Sequence, residues 1–483
     1  MNLSFIFHLQ GRLLFFIPLA VIPSLCLSIG QKDGSTRAFL ITAAISLIAG
    51  LVIFFTTKSR PRSPLKANEG YLAVALSWVI MSLVGAVPFL LLKTHSLSFT
   101  DAVFESVSGF TTTGASIIPD VEIYSNAVMF WRAMSHWIGG MGIILLAIAI
   151  LPRIGVGGMQ LFSAEVTGPT KEKLTPRIAE TARILFGVYI LLTVVEILLL
   201  KYFGMNLFDS VFHSFSSIST GGFSNKNISV AAYDSPAIHL TIIFFMFLGG
   251  MNFSLLSFAL RGQWQTLTRN REFHFYIFII VVVSLLIFWN VRHLILDPVD
   301  RLRHAFFSVI SLMTTTGFAS VDFDKWPDFS RLLLLAVMFI GGCGGSTSGG
   351  IKTVRVYVLL KYTFQQIRKT LHPNEIGVTK IGDRIIPEPL IQAMMGFILI
   401  YGLIYGVSVL TISCLGYDVL TALSSVAATL NNVGPGFNLV GPMSNYSSLV
   451  PLAKWVYIFC MLAGRLEIVA LILLFYPGTW TRW

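Results

Sequence analysis

Long apolar stretches alternate with short polar segments along most of this chain. Ten of these stretches approach or exceed the roughly 20 residues that a helix needs to cross a hydrocarbon core about 30 Å thick. They cover 13–30, 38–57, 71–92, 126–151, 184–200, 236–260, 273–291, 331–351, 391–414 and 450–476. The pattern therefore predicts an all-α polytopic membrane protein.

Composition excludes a soluble fold. Of the 483 residues, 55% are hydrophobic and only 12% are charged, so the polar residues could not cover the core that they would enclose. The first apolar stretch lacks a small-residue cleavage site and is followed by another span, which favours a retained N-terminus over a cleaved signal peptide. The four cysteines lie singly within predicted spans, which favours buried thiols over a disulfide framework.

The distribution of charge predicts the orientation of the spans. A cytoplasmic N-terminus places six segments inside, and these carry 21 of the 34 lysines and arginines but only 8 of the 23 acidic residues. The segments are 1–12, 58–70, 152–183, 261–272, 352–388 and 477–483. Basic residues concentrate on the cytoplasmic side of membrane proteins, so we expect both termini there. The net charge of +11 is then explained by topology and anionic lipid, without a nucleic-acid partner.

A polar motif repeats four times between the apolar stretches. "DAVFESVSGFTTTGAS" (101–116) aligns without gaps with "DSVFHSFSSISTGGFS" (209–224), "FFSVISLMTTTGFAS" (306–320) repeats TTTG, and "LSSVAATLNNVGPGF" (423–437) is a divergent fourth copy. The alignment makes four glycines equivalent, with Gly221 a close rival in the second copy: Gly114, Gly222, Gly317 and Gly434. We call each glycine and the three residues before it a polar strip.

Each strip lies in the same kind of unit. An apolar span precedes it, and a pair of small residues follows it within the next span: Gly139–Gly140, Gly249–Gly250, Gly341–Gly342 and Ala463–Gly464. The predicted organisation is a two-span hairpin followed by four units, each consisting of a first span, a short helix, a strip and a second span. These parts cover 1–70, 71–183, 184–272, 273–390 and 391–483.

The short helices and strips predict an ion pathway. A twelve-residue helix such as 99–110 is about 18 Å long and must re-enter rather than cross. Irregular backbone at membrane depth is tolerated only inside protein or beside water. A helix C-terminus favours cations, and carbonyl and hydroxyl oxygens can replace the water around an ion. The alternative is small-residue packing between helices, which gives no reason for a short helix before every copy.

The predicted filter therefore consists of the four strips. Its sixteen residues are Thr111, Thr112, Thr113, Gly114, Ser219, Thr220, Gly221, Gly222, Thr314, Thr315, Thr316, Gly317, Asn431, Asn432, Val433 and Gly434.

With its two additional N-terminal spans, its TTTG strips and "NNVGPGF", the chain resembles the TrkH type of the superfamily of potassium transporters built from four M1-pore-M2 repeats. The resemblance implies K+, and with it Rb+, as the permeant ion, a homodimer in the bacterial inner membrane, and a cytoplasmic TrkA-like regulator that binds nucleotide. A serine in place of the first-repeat glycine accompanies sodium in this superfamily, so Gly114 favours potassium. The divergent fourth strip implies a filter without fourfold symmetry and with modest selectivity.

The stretch "FIGGCGGSTSGGIKT" (339–353) is the first candidate gate. Its glycines disfavour a continuous helix, and Ile351 separates Gly350 from the lysine that a phosphate-binding loop would require. A packing kink is the alternative to a gate. The resemblance implies an intramembrane gating loop under the filter, with these residues: Gly344, Gly345, Ser346, Thr347, Ser348 and Gly349.

Arg465 is the second candidate gate, at a position that we align with Met141, Met251 and Cys343. An arginine deep in a span costs at least about 2.5 kcal/mol unless it contacts water or protein. In the resembling family an arginine here projects into the pore below the filter. A structural ion pair with a distant acid is the alternative, because Glu467 lies on another face of the helix.

Other ionisable residues in or near spans give weaker indications of a function. Glu196 is placed where its side chain could reach the membrane surface, and Glu105 and His213 occupy equivalent positions in short helices, where supporting the strips is favoured over ion contact. The nine histidines lack metal-ligand spacing.

Channel-like permeation is favoured over two other functions. A secondary transporter also has broken helices, but it usually has two repeats rather than four. A membrane enzyme would need a nucleophile with a base, a metal cluster or paired carboxylates, which the spans lack, so we expect neither catalysis nor an organic cofactor.

Overall fold

Most of the described part of the chain is helical. The computed structural model describes residues 3–57, 67–150, 178–372, 378–382, 384–468 and 470–471. Within these ranges the extended structure is one antiparallel ribbon, in which Lys380–Ile381 pairs with Arg384–Ile385.

Eighteen α-helices, numbered in chain order, lie in these ranges. They are α1 (Leu3–Leu14), α2 (Phe16–Gln31), α3 (Thr36–Thr56), α4 (Ala67–Leu90), α5 (Phe99–Phe110), α6 (Asn126–Ile150), α7 (Ile178–Tyr202), α8 (Leu207–Ile218), α9 (Pro236–Gly249), α10 (Phe253–Leu260), α11 (Trp264–Thr268), α12 (Arg271–Asn290), α13 (Pro298–Met313), α14 (Asp328–Ile340), α15 (Thr353–Leu371), α16 (Glu388–Cys414), α17 (Val419–Leu430) and α18 (Pro451–Arg465).

Several segments have the length and composition of membrane spans. In the described ranges six qualify, and a seventh does if α9 and α10, which meet at 109°, form one broken span. The six are Leu3–Gln31, Thr36–Thr56, Glu69–Leu90, Thr181–Tyr202, Arg271–Asn290 and Glu388–Cys414. The helical, polytopic prediction is thus confirmed.

Three predicted spans are not continuous helices. The 236–260 stretch breaks between Gly249 and Phe253, and the 331–351 stretch ends its helix at Ile340. The 450–476 stretch ends its helix at Arg465, and its part beyond 471 lies outside the described residues. Hydropathy alone missed these breaks because the residues around them stay apolar or small, whereas the glycines of 339–353 predicted the interruption that follows Ile340.

The N-terminal hairpin begins earlier than predicted. Residues 3–12, expected outside the membrane, form α1, whose Gln10 donates a hydrogen bond to the Ala73 carbonyl over 2.9 Å. Ser46 of α3 donates to the Leu14 carbonyl over 2.6 Å. The hairpin therefore packs as part of the helical body.

Four short helices, α5, α8, α13 and α17, carry the strips at their C-termini. Each begins with a polar side chain that accepts the N–H three residues later, which is an N-cap. The caps are Ser98, Asn206, Asp297 and Asp418. In α5 every residue from Ala102 to Phe110 is buried, so these helices are enclosed by the longer ones and their C-termini lie inside the protein.

Candidate functional site

The same backbone turn ends all four short helices. In the first, Thr113 N–H donates to Ser108 O over 2.9 Å and Thr112 N–H donates to Gly109 O over 3.0 Å, which is a Schellman cap. The corresponding bonds recur in the other three copies. The residue at the left-handed position is Thr112 (φ 52°), Thr220 (53°), Thr315 (59°) or Asn432 (57°).

These threonines are strained. A β-branched residue at positive φ is a genuine outlier, and such residues persist where the surrounding structure holds them, often at functional sites. The strain therefore supports a function for this turn.

A second left-handed residue follows two positions later in every strip. It is Gly114 (φ 79°), Gly222 (77°), Gly317 (80°) or Gly434 (97°). The predicted register is thus reproduced by backbone conformation, and it selects Gly222 over its rival Gly221 as the equivalent of Gly114.

The four glycines also contact one another in a closed cyclic order. A Cβ added to Gly114 would lie 2.1 Å from Gly221 O, and one on Gly222 would lie 1.7 Å from Thr316 O. A Cβ on Gly317 would lie 2.0 Å from Val433 O, and one on Gly434 would lie 2.5 Å from Thr113 O. Each glycine therefore makes room for the carbonyl that precedes the glycine of the next strip, and the fourth strip returns to the first.

One cavity of about 120 Å³ opens onto this ring. All four glycines line it, together with polar residues such as Ser224 and Asn227 and the charged Lys226. A water-sized or ion-sized guest can therefore reach every strip from one side.

The hydroxyl groups of the strips bond mainly within the protein. Thr111 and Thr113 hydroxyls lie 2.7 Å apart, and Thr314 and Thr316 hydroxyls lie 2.8 Å apart. In the fourth strip Asn432 donates to Thr113 Oγ1 over 2.9 Å. The hydroxyls thus stabilise the conformation of the strips. The sequence predicts them instead as ion ligands alongside the carbonyls.

A buried ion pair supports the first two strips from behind. Arg132 of α6 donates to Glu105 over 2.7 Å, and both side chains are at most 1% exposed. Arg132 also donates to Ser224 O over 3.2 Å, and Glu105 accepts the N–H of Ile117 over 2.8 Å. The predicted support by Glu105 is present, but sequence reasoning missed Arg132, because nothing in its local pattern indicates a partner 27 residues away.

His213 occupies the corresponding place in α8, the short helix that precedes the second strip. Its ring lies 3.2 Å from Ser224 Oγ and 2.9 Å from Asp209 O. This also agrees with a supporting role rather than ion contact.

Residues 341–352, the intramembrane loop, lie against the ends of the short helices. Thr347 Oγ1 donates to Ile218 O over 3.0 Å and lies 3.1 Å from Gly249 O. Gly349 N–H donates to Thr315 Oγ1 over 2.7 Å. Thr220 of the second strip also donates to Thr347 Oγ1 over 3.3 Å, so the loop contacts the second and third strips.

Arg465 joins this loop to the first repeat. Its guanidinium donates to Thr347 O over 2.6 Å and to Gly139 O over 3.1 Å. The side chain is 2% exposed. The two candidate gates thus form one assembly, and within the described residues the charge of Arg465 is stabilised by carbonyl groups rather than by the distant acid considered above.

Glu467 is engaged elsewhere, as expected. It pairs with Arg355 at 2.5 Å. Glu196, in contrast, is fully buried, so the prediction that its side chain could reach the surface is wrong.

The small-residue pairs pack closely on the strips. A Cβ on Gly139 would lie 2.0 Å from Phe110 O, and one on Gly464 would lie 2.0 Å from Leu430 O. Gly464 is therefore the equivalent of Gly139, and Arg465 corresponds to Gly140. The alignment of Arg465 with Met141 was one residue out of register.

Comparison with known proteins gives consistent matches. The family model described as TrkH, cation transport protein, matches residues 35–479. The chain is 43% identical over 455 residues to the Trk system potassium uptake protein TrkH of Salmonella typhimurium, with 93% of each chain covered. It is 42% identical over 465 residues to the Escherichia coli K12 protein of the same description, with 95% covered. The crystal structure of the potassium transporter TrkH from Vibrio parahaemolyticus superposes with a TM-score of 0.90, at 36% identity and 100% coverage of both chains.

Replacing Glu105 with alanine should destabilise the protein strongly. Arg132 would keep a buried charge without its carboxylate, which typically costs about 3–5 kcal/mol. The measurement is the thermal unfolding of detergent-solubilised protein. Asp328→Ala is the matched control, because Asp328 is 91% exposed in its pair with Arg331 and such pairs contribute at most about 1 kcal/mol. Equal effects of the two changes would contradict the supporting role of Glu105.

Proposed function

We propose that this chain, which belongs to the TrkH family of cation transport proteins, takes up potassium by channel-like, gated permeation through a filter formed by its four strips. The two N-terminal spans would flank four M1-pore-M2 repeats around one pore. The observation that supports the proposal is the closed order of glycine–carbonyl contacts among the four backbone turns.

The chemistry of the ring suits a monovalent cation. Rings of backbone carbonyls can replace an ion's hydration shell, and four helix C-termini add partial negative charge. The strained turns fix the direction of the carbonyls before the ion arrives. K+, and by the same chemistry Rb+, is the proposed permeant ligand, and the chain needs no organic cofactor.

The fourth strip should limit the selectivity. Asn431 accepts a hydrogen bond from Tyr401 over 2.8 Å, and Asn432 bonds to both Thr113 and Met461. These contacts differ from the hydroxyl pairs of the first and third strips. A filter whose four strips differ coordinates K+ less uniformly. We therefore propose moderate selectivity for K+ over Na+.

Arg465 and the intramembrane loop form the proposed gate. The guanidinium carries a fixed positive charge beside the strips, and its contacts to Thr347 O and Gly139 O hold the loop beneath them. An approaching cation is repelled by the charge and blocked by the loop. Conduction then requires both to move away together.

The loop leads directly into α15, which ends in the basic residues Arg368 and Lys369. We propose that a cytoplasmic TrkA-like, nucleotide-binding regulator docks on the basic segment from Lys352 to Arg384. A force on α15 would reach the loop without passing through another helix. A homodimer in the bacterial inner membrane, with both termini cytoplasmic, completes the proposed assembly.

Gly114→Ser should reduce K+/Na+ selectivity. A Cβ at this position would lie 2.1 Å from Gly221 O on a backbone at φ 79°, so the ring must shift. The expected loss is about tenfold, equivalent to roughly 1.4 kcal/mol, measured as a reversal potential in reconstituted vesicles.

Growth of a potassium-uptake-deficient bacterium on low potassium provides the second measurement, where the wild-type chain should restore growth and Gly114→Ser should not. Gly187→Ser is the control, because no atom lies within 4 Å of the added Cβ. Failure of the wild-type chain to restore growth would count against potassium uptake itself.

Arg465→Ala should raise basal cation flux without abolishing selectivity. Repulsion between unit charges about 4 Å apart is about 4 kcal/mol at an effective dielectric constant near 20, so an increase of at least about tenfold is expected. Tracer uptake into vesicles without any partner protein measures it. Arg465→Lys keeps the charge and should stay close to wild type, and unchanged flux in the alanine variant would remove Arg465 from the gate.

Deletion of Gly345–Gly349 should leave a cation leak. The deletion removes Thr347 and Gly349, which bond to Thr220 of the second strip and Thr315 of the third. Ser346→Ala is the control, since among the described residues its hydroxyl donates to Cys343 O within the loop and to no strip. A deletion variant with wild-type basal flux would show that the loop does not obstruct the pathway.

A further inference from the structure

Gly221 is an unexplained glycine in the ring. It precedes the filter glycine of the second strip, where the other three strips carry Thr113, Thr316 and Val433. Its own φ lies outside the left-handed region, unlike that of Gly222. Conformation therefore does not require glycine here, and the reason must be space.

The imidazole of His136 fills that space. A Cβ added to Gly221 would lie 2.3 Å from His136 Nδ1, 2.5 Å from Cγ and 2.7 Å from Cε1. Real Cβ atoms do not approach other heavy atoms so closely. His136 belongs to α6, the second span of the first repeat, so the ring of one repeat enters the strip of the next.

His136 is held mainly by packing. It is fully buried, and its polar interaction among the described residues is with the Ser108 backbone. Its ring stacks on Phe223 with centroids 4.0 Å apart and planes 12° apart. Arg132, one turn earlier on α6, lies 4.1 Å from the same Phe223 ring. The imidazole thus contacts both Gly221 and Phe223, the two residues that flank the filter glycine Gly222 in the sequence.

The other strips show what Gly221 lacks. Thr113 and Thr316 use their own hydroxyls to bond to the first threonine of their strips. In the second strip the corresponding first residue, Ser219, donates to Phe215 O over 2.6 Å, as Thr111 and Thr314 do to Val107 O and Ile310 O, but Gly221 offers it no hydroxyl partner. A glycine without such an anchor has a wider choice of backbone conformations than a threonine, so the cap alone constrains it less, and Gly221 O is the atom nearest to a Cβ added at Gly114.

We propose that His136 replaces the side chain missing at Gly221 and is thereby a positioning residue that sets the selectivity of the filter. The inference deepens the proposed function, on which it rests. His136 touches no permeating ion in this scheme. It fixes the carbonyl of Gly221, and through that contact the first strip.

A double-mutant cycle tests whether the ring of His136 occupies the volume that a side chain at position 221 would need. His136→Ala should fold and conduct, but its K+/Na+ selectivity, read from the reversal potential in vesicles, should fall by about fivefold or more, a coupling typical of residues in contact. Gly221→Ala alone should lose function and stability, because the methyl group collides with the ring. The double variant should recover toward His136→Ala in both selectivity and thermal unfolding temperature.

His136→Asn is the conservative control. Asparagine retains Cγ and a planar atom near the place of Nδ1, the two atoms nearest to the added Cβ, so it should preserve most of the selectivity that alanine loses. A purely structural role would lower the unfolding temperature of His136→Ala while leaving the reversal potential unchanged. That result would overturn the proposal.

Additive effects in the double variant, with no recovery of the unfolding temperature, would also overturn it. Unfolding of purified protein reports on the cycle even if Gly221→Ala conducts no ions. If the wild type conducts potassium selectively and His136→Ala has the same selectivity, the role of His136 is refuted and the proposed function stands. Absence of flux in the wild type would instead refute the proposed function.

Discussion

The structure depends on one constraint: backbone groups that leave a helix inside an apolar protein body must find partners within the protein. Four short helices end in such a place, and each satisfies its last carbonyls with a Schellman cap. The cap forces a left-handed residue, the left-handed glycine follows two positions later, and its missing side chain admits the carbonyl of the next strip. Closure of the ring is therefore a consequence of how each helix ends.

Much of this could be read from the sequence. The short helix at 99–110 was predicted with the bounds that α5 has, and the four aligned glycines recur at equivalent backbone positions. Both succeeded because glycine, apolar length and repetition are local properties. The cyclic order of contacts, in contrast, joins residues as far apart as Gly434 and Thr113, and no local pattern encodes it.

The errors have the same physical origin. Apolar residues continue across the break after Gly249, and small residues follow Ile340, so hydropathy alone predicted single spans where the helix stops. Arg132 and His136 lie in an ordinary apolar helix, and their importance comes from distant neighbours in the sequence, Ser224, which is 92 positions from Arg132, and Gly221. Contacts between repeats, rather than composition within them, decide which side chains matter.

Carrying the four repeats on one polypeptide has an evolutionary consequence. A pore assembled from four identical subunits would have to place an arginine in every quadrant or in none, and four guanidinium ions crowded together would repel one another strongly. Here the position of Arg465 is occupied by Gly140 and Gly250 in two other repeats, so a single cation suffices. Four non-identical repeats in one chain can therefore carry an arginine in one quadrant alone, which a tetramer of identical subunits could not acquire by a point mutation.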